Sequence, residues 1–345
     1  MTAIETQMGS NSELAAHYAM MQRVRLFEER VGELFVRGQS AGSMLHLSIG
    51  EESAAVGVCS QMRDGDSFTT HHRGHGIFLA RGADPARMMA EIAGKQAGYC
   101  SGKGGSMHIA DMSLGHLGAN AIVGGGIPAV VGAGLAARHK KSDAVSVAFF
   151  GDGATGQGIL YESMNMAALW GLPVLFVCIN NQYGMGTRID QATANTVLHE
   201  RASAFGLAAE TVDGLDVLNV VAAAKRLISG ARRGRPGFLA IDCYRFYGHA
   251  RKDKSPYRAE DEEAAGREKD PVLQARENLL SSGEMDDAAL DALDARIADE
   301  MDATIDFAIA QEEPPLSSMF RDVYDPSQPE PEPVRTRLER ILARD

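Results

Sequence analysis

Two polar turns carry residues whose types fit one piece of chemistry. Gly151-Asp152-Gly153 closes the apolar run Val145–Phe150, and Asn180-Asn181 closes the next run, Leu172–Ile179, with 26 residues (154–179) between the turns. Both runs have the character of buried parallel strands. Between them, GQGILYESMNMAALWG sets Leu160, Met164, Ala167 and Ala168 at helical spacing, and Gly171 stands where it would stop the helix. The unit is βαβ, so both turns should emerge at the same carboxyl edge of a sheet. There a carboxylate from Asp152, an amide oxygen from Asn181 and a main-chain carbonyl, best placed at Tyr183, would make an oxygen set for a hard divalent cation. Mg²⁺ commonly bridges such groups to phosphates. The expected chemistry is Mg²⁺ with a diphosphate.

A rival reading uses the same glycines. Gly151-x-Gly153-x-x-Gly156 after a strand and before a helix also fits a dinucleotide fingerprint. Against it, the following strand ends in Ile179-Asn180-Asn181, with no acid for a ribose hydroxyl. Asp152 would also repel a bare diphosphate at the helix N-terminus. Two further polar clusters follow predicted strands: Arg73 with His75 after Ser67–Thr70, and Arg245 with His249 after Phe238–Asp242. Guanidinium forks suit a diphosphate, and imidazoles suit proton transfer near neutral pH.

The elements that must position these groups can be read in order. Ser12 caps a helix whose residues Leu14, Tyr18, Met21, Val31 and Leu34 share a face, ending near Gly38; residues before it are expected to fray. A second helix follows Gly50-Glu51-Glu52, and Pro85 opens a third. Gly98–Gly126 reads as a long glycine-rich loop whose backbone approaches a ligand or another subunit. From Pro128 runs a helix of small side chains in which Gly132 and Gly134 signal close helix–helix or subunit packing. Gly184–Thr196 reads as a polar loop, Val212-Asp213-Gly214 as a turn and Val217–Ile228 as a helix. Beyond Pro271 come two helices and a tail punctuated by Pro314, Pro315, Pro326, Pro329, Pro331 and Pro333, expected to wrap a partner or hang free. The organisation expected is an N-terminal segment and helix (1–40), a diphosphate-binding α/β domain (41–265) and C-terminal helices with a tail (266–345).

Composition narrows the partners. The 345 residues are 45% hydrophobic and 23% charged, with a net charge of −12. That balance argues against an electrostatic nucleic-acid or anionic-membrane binder, and no apolar run approaches a membrane span. MTAIETQMGSNS lacks a signal core or an Arg-rich presequence. Cys59, Cys100, Cys178 and Cys243 are scattered, as for reduced thiols in a cytoplasmic protein.

GDGATGQG, YESMNMAALWGLPVLFVCINNQYGMGT and SGKGGSMHIAD together resemble the α subunit of the thiamine diphosphate-dependent first component of 2-oxo acid dehydrogenase complexes, closest in its pyruvate and acetoin branches. The resemblance runs from about Arg25 to about Tyr324. It implies the thiamine diphosphate-binding fold, a mostly parallel sheet flanked by helices. It further implies Mg²⁺ on Asp152, Asn181 and the Tyr183 carbonyl, and a diphosphate against Gly151, Gly153, Ala154, Arg73 and Arg245. Backbone at Ala121 and Val123 would meet the aminopyrimidine, His72 would line the cofactor, and His75 and His249 would be active-site histidines, His249 near the reacting carbon. The reaction implied is carbon–carbon cleavage of a 2-oxo acid or acetoin with acyl transfer to lipoamide on an acyltransferase component; a branched-chain 2-oxo acid is the alternative substrate. A separate β chain would supply the pyrimidine-binding domain, in an assembly of two α and two β chains. His72 stands where pyruvate-type members commonly have Tyr, as in acetoin-type members. Ala250 stands where phosphorylation-regulated members have Ser, which implies no phospho-switch there and leaves Ser255 as a weaker candidate.

Overall fold

The computed structural model describes residues 12–42, 44–321, 323, 327 and 332–343. The expected fraying before Ser12 and the prolines 326, 329 and 331 lie outside them. Six parallel strands form the central sheet: β1 (Ser67–His71), β2 (His116–Asn120), β3 (Ser146–Gly151), β4 (Val174–Asn180), β7 (Ala208–Asp213) and β8 (Gly237–Asp242), in the order β2-β1-β3-β4-β8-β7. A two-residue hairpin, β5 (Tyr183–Gly184) and β6 (Thr187–Arg188), stands apart from it.

The apolar strands read as unbroken runs because both faces of the sheet are covered. Val147, Phe149, Leu175, Val177, Ile179, Leu239 and Ile241 face one core. Ala148, Phe150, Val174, Phe176, Cys178, Phe238 and Ala240 face the other. The first core runs from Leu14 to Ala308 and takes in the N-terminal helix α1 (Glu13–Val36), capped as expected by the Ser12 side chain. All five apolar positions assigned to its inner face are buried. Arg25 of this helix bridges Glu52 at 2.6 Å and Asp270 at 2.9 Å, tying it to α2 (Glu52–Cys59) and to the cap of the helix Pro271–Ser282.

Three expectations are corrected. The Gly98–Gly126 stretch is not loop throughout: β2 pairs with β1, and its register slips between Phe68 and Thr70 opposite Gly118, whose φ of +125° no bulky residue takes easily. Its glycines concealed the strand. Val212-Asp213 is the end of β7, an edge strand too exposed to give an apolar run, and the turn begins only at Gly214. Gly184–Thr196 contains the small hairpin and a short helix, Ile189–Ala192. In the helix α5 (Ile127–His139), Gly134 meets the sheet, where a Cβ would lie 2.6 Å from Val174, but Gly132 faces outward with open space around it. Within this chain the close packing is at Gly134.

The strand order reverses between β1 and β3, so the connections leaving their carboxyl ends run in opposite directions and leave a crevice between them. The site lies there.

Candidate functional site

The register of the sheet brings the two polar turns side by side. Gly151 pairs with Ile179 across β3 and β4, so Asp152 and Asn181 leave neighbouring strands at the same level. Both are buried, and both line a cavity of about 560 Å³ together with Arg73, Arg245, His249 and the 121–124 segment. After Gly151 the chain makes a tight 3₁₀ turn, Asp152–Gly156, before the helix α6 (Gly158–Trp170) begins. At Gly153 the turn packs backbone to backbone against the hairpin: a Cβ there would lie 3.2 Å from Gly184 Cα, a tight contact that glycine avoids. Tyr183 is held at the cavity by its own amide, which donates to Asn181 Oδ1 at 3.2 Å.

Asp152 is an uncomfortable anion in this setting. Burial pushes its carboxyl up to about 6; the neighbouring Glu51 adds to the rise, while backbone amides and Arg245 oppose it. Glu51, equally buried, accepts the Asn181 Nδ2–H at 2.7 Å and lies 3.9 Å from Arg73 Nε. Burial raises its carboxyl too, against Arg73 and Asn181, and its second oxygen has no hydrogen-bond partner. Two buried carboxyls held above their ordinary range, beside a carboxamide, form a donor set that a divalent cation would stabilise. The residues fit Mg²⁺. The order of the Asn181 amide follows from the same contact: with Nδ2 turned to Glu51, Oδ1 is the atom that accepts the Tyr183 N–H.

The two arginines are anchored rather than free. Arg73 donates to the carbonyls of Leu47 at 2.5 Å and His249 at 2.8 Å, and burial lowers its guanidinium to about 10. Arg245 donates to the Tyr247 carbonyl at 3.0 Å and to the Tyr257 hydroxyl at 3.1 Å. Fixed in this way, they give the cavity a standing positive field opposite Asp152.

The histidines divide. His72 and His249 stand on the cavity wall, joined by His46. Burial and the Arg73 charge lower His46 to about 3 and His249 to about 4; burial lowers His72 further still. The rings are therefore neutral at pH 7. His75 is not on the wall. Its Nδ1 lies 3.1 Å from Glu28 and its Nε2 2.9 Å from the Ser106 hydroxyl, so both nitrogens are taken. Burial alone would raise the Glu28 carboxyl, but His75 and Ser48 outweigh it and hold it below the usual range.

Several positions at the site gave no signal in the sequence reading. Glu51 read only as the start of a helix, and the burial of every residue in that helix, Glu52–Cys59, gave no hint of its contacts. Asp253 fixes the 245–258 loop by accepting from the His249 amide at 2.8 Å and the Tyr257 hydroxyl at 2.6 Å. Ser255 is buried in that loop at a φ of +53°. Trp170 ends α6, so that helix carries it about 18 Å from Gly158; a change in its fluorescence on metal binding would be a remote effect.

Comparison with known proteins places the chain in a family. The family model for the dehydrogenase E1 component matches residues 19–317. The chain is 44% identical over 308 residues to the α subunit of acetoin:2,6-dichlorophenolindophenol oxidoreductase of Bacillus subtilis, covering 89% of this chain and 92% of that one. It is 43% identical to the pyruvate dehydrogenase E1 component α subunit of Zymomonas mobilis (86% and 84% covered). With that of Rhizobium meliloti the identity is 39% (89% and 88% covered). The chain belongs to the dehydrogenase E1 component family, and the dinucleotide reading of the Gly151 turn is set aside.

Proposed function

We propose that this chain is the α subunit of a thiamine diphosphate- and Mg²⁺-dependent dehydrogenase that cleaves acetoin or a pyruvate-like 2-oxo acid and passes the acyl group to lipoamide on a separate acyltransferase. The observation that carries the proposal is the convergence of Asp152 and Asn181 on one cavity from the ends of adjacent strands. Asp152, Asn181 and the Tyr183 carbonyl would hold Mg²⁺. The amides of Gly153 and Ala154, with Arg73 and Arg245, would bind the diphosphate, at the switch point where such folds take ligands. Bound thiamine diphosphate supplies a nucleophilic carbon and an electron sink for cleavage beside a carbonyl.

The chain's own part is to bind, orient and move protons. His249, neutral at pH 7 and on the cavity wall, can accept a proton at a ring nitrogen or relay one. His75 acts from behind the wall: through Ser106 it fixes the glycine-rich segment that leads to Ala121 and Val123. A β subunit would complete the site. Ile122 and Val123 are 72% and 53% exposed at the cavity rim, an apolar lip suited to a protein partner. The four free cysteines support a reducing, cytoplasmic setting.

The test is co-expression with a β partner, then dye reduction with acetoin and with pyruvate in the presence of thiamine diphosphate and Mg²⁺. Asp152→Asn should lower activity at least about a hundredfold, and chelation should abolish it reversibly. Full activity in that variant, or indifference to chelator, would refute the proposal.

A further inference from the structure

Three imidazoles meet on the cavity wall from separate segments. The His46 ring lies 4.5 Å from that of His72 and 4.9 Å from that of His249, and the last two are 5.2 Å apart. One ring nitrogen of each falls within 4.8 Å of the other two. His46 Nδ1 and His72 Nε2 are buried with no hydrogen-bond partner, a condition that costs about 1–3 kcal/mol per group while it lasts. Burial first, and then the Arg73 charge, keeps the rings uncharged, so each carries one nitrogen lone pair that a metal ion can take.

We propose that His46, His72 and His249 form a three-imidazole site for a borderline divalent transition ion, Zn²⁺ the leading case, separate from the oxygen set at Asp152 and Asn181. Three neutral imidazoles with the fourth position open toward a cavity are a ligand set that Zn²⁺ favours. Mg²⁺ prefers oxygen and keeps its waters, so the two sites sort ions by hardness. Tetrahedral ligands about 2.05 Å from zinc stand about 3.4 Å apart. The rings would therefore draw together by up to about 1.4 Å, which rotation about their side-chain bonds allows. His72 and His249 both stand in loops beyond strand ends. Arg73 sets a limit on affinity. It is pinned to the Leu47 and His249 carbonyls and cannot swing away, although Glu51 at 3.9 Å offsets part of its charge. The Arg73 charge weakens the hold of the three rings on a cation. A bound ion would occupy the His249 nitrogen and narrow the cavity, so the site would act as a zinc-sensitive brake on turnover.

The test uses the full chain, stripped of metal and without thiamine diphosphate, substrate or partner. It is titrated with Co²⁺, whose visible bands report tetrahedral nitrogen ligation, and then with Zn²⁺ as competitor. One Co²⁺ per chain should give those bands, Zn²⁺ should displace it, and excess Mg²⁺ should not. His46→Gln and His72→Gln, each checked for native circular dichroism, should weaken binding at least about tenfold, while Asp152→Asn leaves it unchanged. Absence of tetrahedral bands, unchanged affinity in both histidine variants, or loss on Asp152→Asn would overturn the proposal. The measurement involves no cofactor, so failure here leaves the proposed dehydrogenase untouched, and failure of that function leaves the zinc result standing.

Discussion

Glu51 shows how much a single buried carboxylate can arrange. It sits between Asn181 and Arg73, accepting a hydrogen bond from the first and facing the charge of the second. Removing it would leave a buried amide N–H unpaired and free the Asn181 side chain to turn over. Glu51→Ala in the assembled enzyme should therefore raise the Mg²⁺ concentration needed for half-activation about 10–100-fold, with kcat at saturating Mg²⁺ largely kept. Glu51→Gln, which retains an oxygen for Asn181, should recover most of the loss. An unchanged Mg²⁺ requirement in Glu51→Ala would show that Asn181 is held in place by other contacts.

At the scale of elements, the glycine-rich segment is organised by one side chain from a neighbouring helix. Glu91, in the helix Pro85–Ile92, is fully buried and accepts backbone N–H groups from Cys100, Gly102, Gly104 and Gly105 at 2.8–3.0 Å. Two of the glycines are required by this closeness: a Cβ at Gly98 would stand 2.3 Å from the Glu91 carboxylate, and one at Gly104 would stand 2.7 Å from the His108 carbonyl. The next residue after this nest is Ser106, the partner of His75. Glu91→Ala should cost at least about 3 kcal/mol, since several N–H groups lose a charged acceptor at once. Hydrogen exchange should localise the loosening to residues 98–107. Protection there equal to wild type would mean that the segment holds itself.

Across the whole molecule, stability toward acid depends on buried neutral histidines. His116, at the start of β2, is stacked on Phe68 at 4.6 Å and is 1% exposed. Burial lowers it to about 4 from 6.5, with Asp111 opposing. A base depressed in the folded state binds fewer protons there than in the unfolded chain. Its contribution is thus complete above pH 6.5 and is lost as pH falls through about 4, up to about 3 kcal/mol. His116→Phe should flatten the fall in melting temperature between pH 6.5 and 4. A curve parallel to wild type would assign the acid limb to the other buried histidines. Among the described residues no helix is long and apolar enough to cross a membrane.

The chain alone settled what local physics settles. Apolar runs in a βαβ unit sandwiched by helices can hardly be anything but parallel strands. The register of β3 against β4 then put Asp152 beside Asn181, because short connections in such units leave little choice. The helix ends at Ser12, Pro85 and Gly171 were legible for the same reason: each acts within a turn or two of itself. Strand order, the edge strands β2 and β7, and the second ring of contacts were decided only in three dimensions. Glycines and half-exposed residues give no periodic signal for an edge strand. Glu51, Glu91 and the His46–His72–His249 cluster join segments far apart in sequence, and desolvation, which shifts their charge states, exists only once those segments are packed.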